Sequence, residues 1–462
     1  MKNILKIFLI TFNCAAFGQF QDISYQTRIG LGQYSLVRSD LQTNGQLLVS
    51  SGGSIFRLNT DGTEDLSFSA NIGTGFSRDP TCIKLQNDGK IIVLFDRGTP
   101  LTFNGLPIQT VIRLNSDGSY DNSFNFFIAG NQSSWFHALI QNDGKIILGS
   151  EDTILRINSN GTQDNTFSTG YSDGGCRAIL DVKFDVNNKI IVGGCFSFYN
   201  KIVANGVIRL NANGTIDPTF VTGTGFTSNT NPYIRVTSIA IQSNGKYLFG
   251  GTLGSYNGNV VNNVVRINTD GSLDNTFVFN SAIFDTVTNM YLQTNGNVIV
   301  VGTKNTTINS FPVFLTSIQR FLPTGQNDGT LNISNNFTGA FDTTPFVKSL
   351  QIQNDGKLIV LGTFTKYNDV TVNGIVRLTD KNLLTNNFSL NQVIVYPNPA
   401  SNLLNINNTE YTSYEIFNTA GVKIISDSLT SQHINTSLMP KGLYILLLKN
   451  DLKTTTVKFL KE

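Results

Sequence analysis

Long apolar runs are missing after the first 18 positions, and with them any ordinary transmembrane helix, which needs about 20 consecutive apolar residues. Helix formers are scarce as well, with three Met and few Ala and Glu. No long stretch keeps a 3.6-residue period, so the chain does not read as helical. Charged residues make up only 14% and the formal net charge is +2. Setting aside Lys2 and Lys6 of the leader leaves 31 basic against 31 acidic residues. A neutral chain lacks the positive field that nucleic acid or an anionic membrane surface requires. Histidine occurs twice, as His137 and His433. No Ser-His-Asp order, His/Cys metal cluster or phosphate loop appears, so no catalytic residue, metal or cofactor is expected.

Cysteine is sparse. Beyond Cys14 of the leader there are Cys82, Cys176 and Cys195, and an odd number cannot form a complete disulfide framework. Cys176 and Cys195 flank a hairpin expected to turn at Asn187-Asn188, a register that places Cys195 opposite residue 180. The remaining offset of four residues is about 13 Å of strand, beyond the reach of a bridge. Buried free thiols are therefore expected.

What the chain does have is β-branched runs broken by Asn-Gly and Asp-Gly, an all-β composition. The N-terminus reads as a secretory leader: Lys2 and Lys6, an apolar stretch from Ile7 to Ala16, and small residues around Ala16-Phe17-Gly18. Cleavage is expected after Gly18, exposing Gln19. Cys14 would suit a lipoprotein, but Asn13 stands where a lipobox wants Gly or Ala. Residues 19 to about 35 form a lead-in, with a strand that could join the last repeat.

One phrase then returns seven times: Arg-Leu-Asn-x-Asp-Gly-x-x-Asp-x-Ser/Thr-Phe. It begins at Arg57, Arg113, Arg156, Arg209 and Arg266, and in worn form at Arg320 and Arg377, at spacings of 56, 43, 53, 57, 54 and 57 residues. Asp sits eight residues after Arg at Asp65, Asp121, Asp164, Asp217, Asp274 and Asp328. Phe sits eleven after at Phe68, Phe124, Phe167, Phe220, Phe277 and Phe388. Each phrase is preceded by two apolar runs joined by Gln-x-Asn/Asp-Gly-Lys, as in Ile140-Gln141-Asn142-Asp143-Gly144-Lys145. Two hairpins predict four strands per unit, and a unit this short must stack on its neighbours. Seven units suit a seven-bladed β-propeller. The sixth is irregular, with Leu331 in place of Phe and Pro323 expected to interrupt its strand.

These repeats, seen most fully in Ile241-Gln242-Ser243-Asn244-Gly245-Lys246 through Arg266 to Phe277, resemble the delta-60 repeat family of bacterial exported proteins. The resemblance spans residues 41 to about 388. It implies a propeller-like fold and brings no catalytic residues with it.

After Phe388 the composition changes. Val395-Tyr396-Pro397-Asn398-Pro399, Gly421-Val422-Lys423 and Gly442-Leu443-Tyr444 open, punctuate and close a set of five to seven short strands, a small Ig-like β-sandwich. The module resembles the type A C-terminal sorting domain of the type IX secretion system of Bacteroidetes, with Tyr396, Pro397, Asn398, Pro399, Gly421, Lys423, Gly442 and Tyr444 as its landmarks. The resemblance implies passage through the periplasm, recognition by the type IX machinery, and release or attachment to surface lipopolysaccharide.

The recurrent Arg and Asp read as a repeated ion pair and the Phe as core, since stacking needs one copy per unit and an active site needs a unique constellation. A three-residue turn would put Arg57 and Asp65 on one face; a two-residue turn would put them on opposite faces. Asn59, Asp61 and Asp65 alternate as calcium ligands do, but Asp-Gly is also what a turn requires. Candidate binding residues are the pairs Tyr199-Asn200, Tyr256-Asn257 and Tyr367-Asn368, with Phe103-Asn104 as an analogue. On one rim they would stack on sugars; otherwise they anchor hairpins.

The expected organisation is thus a signal peptide over 1–18, a propeller over 19–388 and a sorting domain over 389–462. The expected function is a non-catalytic binding or scaffold module at the cell surface, with a glycan or protein ligand. The alternatives are a glycan-active propeller hydrolase or lyase using Asp/Glu from different blades, and a purely structural surface component.

Overall fold

The computed structural model describes residues 20–25, 37–379 and 395–462, apart from positions 99, 129–132, 177, 228–233, 280–282, 309–310, 335, 340–344, 407–410, 420 and 451–453. The signal peptide, Asn382 and Phe388 lie outside the described residues. The chain forms two compact units, 1–381 and 382–462.

In the first unit each repeat builds one antiparallel sheet. In the fourth, the inner strand Ala178–Phe184 pairs with the middle strand Ile190–Cys195, which pairs with the arginine strand Val207–Leu210. Seven sheets of this order follow one another, each carrying one of the seven arginines. The Gln-x-Asn/Asp-Gly-Lys turn closes between Gln242 N–H and the Lys246 carbonyl, 2.9 Å apart. Gly245 sits there at φ +83°, a conformation that costs an L-residue a steric clash. Middle strands such as Ile91–Leu94 and Ile146–Ser150 are buried along their whole length, because a neighbouring sheet covers each face. One core cluster accordingly joins Ile191 and Val207 of the fourth sheet to Val236, Phe249 and Val265 of the fifth.

The inner strands touch in succession. The Asp40 carboxylate accepts from Leu85 N–H at 2.8 Å, and the Thr81 hydroxyl donates to the Trp135 carbonyl. His137 reaches the Ile179 carbonyl at 3.3 Å, and Asp181 accepts from Ile239 N–H at 2.8 Å. Ser238 accepts from Met290 N–H at 2.9 Å, and the Tyr291 hydroxyl from Leu350 N–H at 3.0 Å. Ser349 returns to Ser39 at 2.7 Å. The seven strands therefore close on themselves. The lead-in strand Phe20–Gln21 pairs with the last arginine strand, Phe20 opposite Thr379 and Gln21 opposite Leu378.

Three expectations need correction. The fourth strand is reduced in five repeats to a single bridge, such as Leu58 to Glu64 or Leu210 to Ile216. The aspartate immediately past the bridge folds back to accept from the backbone ahead of it, as Asp217 does from Thr219 N–H, and so ends the strand. In the first repeat the following residues continue into a helix, Leu66–Ile72, with Asp65 as its N-cap and Gly73 as its C-cap.

Cys176 and Cys195 form a disulfide with their Cα atoms 5.3 Å apart. The turn between their strands holds three residues, with Phe184 opposite Ile190, and a bulge between Ile179 and Asp181 moves the register again, placing Ala178 opposite Cys195. Gly175 at φ +59° then returns the chain so that Cys176 reaches its partner. Finally, Pro323 interrupts no strand. It lies in the turn after Phe311–Phe321, which with Val298–Ile308 makes a hairpin of 11 residues per arm. Leu331 still fills the core position of the missing Phe.

The second unit has two sheets. One contains Val395–Tyr396, Leu403–Ile406 and His433–Asn435; the other contains Ser413–Asn418, Lys423–Ser428, Gly442–Lys449 and Thr454–Lys461. Leu404, Ile406 and Ile434 of the first meet Ile416, Leu446 and Phe459 of the second in one core. Asn398 accepts from Leu460 N–H at 2.8 Å, while Pro397 and Pro399, flanking it, follow the exposed Tyr396. Gly421 at φ +80° makes the turn before Lys423, which bonds Glu415 at 2.7 Å. Tyr444 packs on Phe459 at 5.7 Å and donates to the Pro440 carbonyl. Gly442 starts the strand that carries it.

Candidate functional site: the axial cavity

The repeated phrase has a structural explanation in full. Asn59 N–H bonds the Thr63 carbonyl, so three residues make the turn and Arg57 and Asp65 share a face. Arg Nε meets Asp Oδ2 at 2.9 Å in Arg57–Asp65, 2.6 Å in Arg113–Asp121, 2.8 Å in Arg156–Asp164, and 2.7 Å in both Arg209–Asp217 and Arg266–Asp274. Arg320–Asp328 repeats the pair in the sixth unit. The other Asp oxygen accepts from the Ser or Thr two residues on, as Asp121 does from Ser123 at 2.6 Å. The lysine of the preceding turn joins it, with Lys90 to Asp121 at 2.8 Å and Lys246 to Asp274 at 2.7 Å.

In the first five repeats the guanidinium also covers the Phe of its phrase. Arg57 lies 4.6 Å from the Phe68 centroid, Arg113 4.8 Å from Phe124, Arg156 5.0 Å from Phe167, Arg209 4.8 Å from Phe220 and Arg266 4.9 Å from Phe277. Its Nη1 donates to a turn carbonyl of the next repeat: Arg113 to Ser159 at 2.6 Å, Arg156 to Ala212 at 2.8 Å, Arg266 to Pro323 at 2.6 Å. The phrase is inter-repeat cement. Asp61 turns its carboxylate onto Thr63, at 2.9 Å to the amide and 2.6 Å to the hydroxyl, as a turn residue does.

The tyrosine–asparagine pairs do not form a sugar-stacking rim. Tyr199, Tyr256 and Tyr367 are each 0% exposed, so no ring face is open to a ligand. Phe226 packs on Tyr256 at 4.7 Å and Phe337 on Tyr367 at 5.2 Å. Asn200, Asn257 and Asn368 take φ of +48°, +49° and +48° at hairpin corners. Their side chains tie neighbouring segments: Asn200 accepts from Tyr171 N–H and Asn257 from Gly225 N–H, and Asn368 from the Asn336 amide. The anchoring alternative accounts for them.

The repeats do bring unlike residues together at the axis. One register position, opposite the fourth residue of each middle strand, is held by Arg38, Cys82, His137, Asp181, Ser238, Asn289 and Ser349. All seven line one cavity of about 830 Å³. Two residues further along the inner strands, Asp40, Lys84, Leu139, Lys183, Tyr291 and Gln351 line it too. Asp40 pairs with Lys84 at 2.9 Å and Asp181 with Lys183 at 2.7 Å.

Burial dominates the ionisable groups here. It pushes the Tyr291 hydroxyl up to about 12 and raises the Cys82 thiol above its ordinary range. It lowers the His137 imidazole, with nearby Lys183 and Arg38 adding to the effect and Asp181 and the hydrogen bond to Ile179 opposing it. His137 sits in the inner strand Trp135–Ile140. Among the described residues no three His, Cys, Asp or Glu side chains converge as a metal site. The sequence reading missed this cavity. Its one visible signal was a position that changes chemistry from repeat to repeat while its surroundings do not.

Comparison with known proteins agrees with these two architectures. A family described as a domain of unknown function (DUF5122) beta-propeller matches residues 86–124, 141–167, 187–220, 242–277 and 353–379. A secretion system C-terminal sorting domain matches residues 394–462. No curated protein sequence matches the chain. Among solved structures, PorZ, a surface component of the type IX secretion system of Porphyromonas gingivalis, is 13% identical with a TM-score of 0.44 over 94% of this chain, which spans 60% of that one. The WD40 β-propeller domain of Doa1 is 14% identical, with a TM-score of 0.45 over 78% of this chain and 99% of its own. The gluconolactonase XC5397 from Xanthomonas campestris is 14% identical, with a TM-score of 0.34 over 77% and 88%. Among the described residues no helix is long and apolar enough to cross a membrane. Five of the repeats thus match the DUF5122 β-propeller family and residues 394–462 match a secretion system C-terminal sorting domain, so the chain is a propeller protein exported by the type IX route to the cell surface or beyond.

Proposed function

We propose that this exported protein is a non-catalytic binding module, a seven-bladed propeller whose ligand seat is the axial cavity. The observation that carries the reading is the register position at the axis. The inter-repeat cement repeats with little change from unit to unit, whereas the seven residues facing the cavity at one level are chemically dissimilar. A repeated surface stabilises; a non-repeated constellation discriminates. The cavity also falls within the size range of small-molecule pockets.

The glycan-cleaving alternative needs a carboxylate free to act as acid or base. Asp40 is held by Lys84 and the Leu85 amide, and Asp181 by Lys183 and the amides of Val182 and Ile239. Glu151, the third carboxylate of the cavity, is not held in this way among the described residues, but glycoside hydrolysis ordinarily needs a pair. Two committed carboxylates beside a single free one favour binding over turnover.

The test is a glycan array with the leader-free chain beside a variant that fills the cavity, Asn289→Trp. Binding that disappears in the variant while its melting temperature is kept supports the reading. Product release from any bound glycan overturns it, and absence of any ligand points to a structural surface component.

A further inference from the structure

The axial cavity is electrically lopsided. Among the described residues four cationic side chains line it, Arg38, Lys84, Lys183 and Lys348, against the three carboxylates Asp40, Glu151 and Asp181. Two of these charges on each side cancel locally in the pairs Lys84–Asp40 and Lys183–Asp181. That leaves Arg38 and Lys348 on one arc and Glu151 on the other. Arg38 belongs to the first inner strand and Lys348 to the last, which lie side by side through the Ser39–Ser349 hydrogen bond of 2.7 Å. Glu151 follows the middle strand of the third sheet, and its carboxylate has no hydrogen-bond partner among the described residues.

Like charges brought together are a cost unless something offsets them. Arg38 is held in place: its Nε donates to the Thr81 carbonyl at 2.6 Å and its Nη1 to the Val37 carbonyl at 3.1 Å. Asp79, whose charge also reaches Arg38, accepts from the Gly53 amide. Lys348 occupies the bulge between Val347 and Ser349, so its side chain leaves the regular ladder. It has no hydrogen-bond or ion-pair partner among the described residues, and only the Phe346 ring lies under it, 5.1 Å from the ammonium. Burial and the charge of Arg38 both lower its proton affinity. A fixed guanidinium beside an unpartnered ammonium is an anion seat awaiting its ion. The wall next to it offers hydroxyl and amide groups, Ser39, Ser349 and Asn289, of the kind that hydrogen-bond sugar hydroxyls.

We infer that the axial cavity binds an acidic saccharide unit, with the sugar carboxylate between Arg38 and Lys348 and its hydroxyls toward Asn289. The inference rests on the binding-module reading above. Glu151 repels a carboxylate and so fixes which arc receives it.

Titration calorimetry of the leader-free chain with glucuronate, galacturonate and N-acetylneuraminate, each beside glucose and galactose, tests it at low salt. At least one acid should bind tenfold or more tighter than the neutral sugars and weaken as salt is added. Lys348→Glu should abolish that binding, and Lys348→Arg should keep most of it. Both variants should melt as the parent does, since Lys348 bonds nothing in the frame. Equal binding of acids and neutral sugars, or acid binding indifferent to Lys348→Glu, overturns the anion seat and leaves the binding-module reading standing. Displacement of a bound acidic sugar by an acidic peptide through Lys348 also overturns it, in favour of a protein ligand. Failure of every sugar here, together with a blank array, removes both readings.

Discussion

Arg377 and Asp22 stand 355 residues apart in the chain and form the same ion pair that elsewhere spans eight, at 3.0 Å. The match extends to the whole phrase. Arg377 Nη2 donates to the Ser24 hydroxyl at 3.1 Å, its Cζ covers the Tyr25 ring at 4.5 Å, and Lys357 joins Asp22 at 3.1 Å. Asp22-Ile23-Ser24-Tyr25 is thus the Asp-x-Ser/Thr-Phe of the seventh repeat, supplied from the other end of the chain. The spacing alone assigned this place to Phe388, which lies outside the described residues; Tyr25 lies under Arg377 there.

Breaking this latch should therefore cost as much as breaking an ordinary repeat. Removing one partner of a largely buried pair costs about 3 kcal/mol or more, and Asp22→Ala is expected to match Asp217→Ala. Urea midpoints at unchanged slope measure both. A loss below about 0.5 kcal/mol for Asp22→Ala would show that the ends are not joined this way.

Acid should loosen the repeats together. The Asp22 carboxyl is drawn down to about 2: burial works against ionisation, but hydrogen bonds from Ser24 and Lys357 and the charge of Arg377 outweigh it. The Asp65 carboxyl is also drawn to about 2, chiefly by the Ser67 hydroxyl. Asp121, Asp164, Asp217 and Asp274 are buried as well, yet their lysine, hydroxyl and arginine partners hold them below the carboxylate range. Depressed folded values mean that the unfolded chain binds more protons, so stability rises with pH in this window. The contribution is fully present above the unfolded value of about 4 and is lost as pH falls through about 2. Melting temperature should stay level from pH 7 to 5 and drop steeply between about pH 4 and 2. Asp65→Asn should lower the neutral-pH melt and flatten the acid limb; an unchanged limb would contradict the assignment.

The disulfide makes a countable prediction. Unfolded without reductant, the leader-free chain should show one reactive thiol, Cys82, and after reduction three. In the native state Cys82 should resist alkylation because burial raises its thiol. Closing a loop of this size is worth about 3 kcal/mol, so Cys195→Ser should lower the urea midpoint accordingly. Three thiols before reduction would refute the bridge.

Tyr199 and Tyr256 should part company under the same change. The Tyr256 hydroxyl donates to the Gly271 carbonyl at 2.5 Å, whereas the Tyr199 hydroxyl is buried with no partner. Tyr256→Phe should cost about 1 kcal/mol, and Tyr199→Phe should be neutral or slightly stabilising. Thermal melts of the two variants settle the comparison. Equal losses would mean that the Tyr199 hydroxyl is bonded after all.

Strand-turn-strand order was legible because Asn-Gly and Asp-Gly fix turns by backbone sterics, a local property. Arg57, Asp65 and Phe68 were legible as structure because their spacing recurs. Three things were not. The Cys176–Cys195 bridge depended on one bulge and one extra turn residue, and each shifts a register that composition does not encode. The fate of Tyr199 depended on which face of its short strand, paired on both sides, meets the core. The cavity at Arg38, His137 and Lys348 arises only when seven distant segments close on one axis. Asp22-Ile23-Ser24-Tyr25 was in plain view, but a phrase cut in two by the chain ends does not register as a repeat.

The split seventh phrase also sets the order of events in folding. Six repeats can form their cement from residues close in sequence, but the seventh must bring residue 22 to residue 377. Loop-closure entropy grows only with the logarithm of length, about 0.6 kcal/mol per doubling. The decisive quantity is therefore when the far partner exists, not how far away it is. A chain emerging N-terminus first holds its clasp from the start and can fasten it only once nearly the whole ring has been delivered. Until then the first and last sheets each have an open edge.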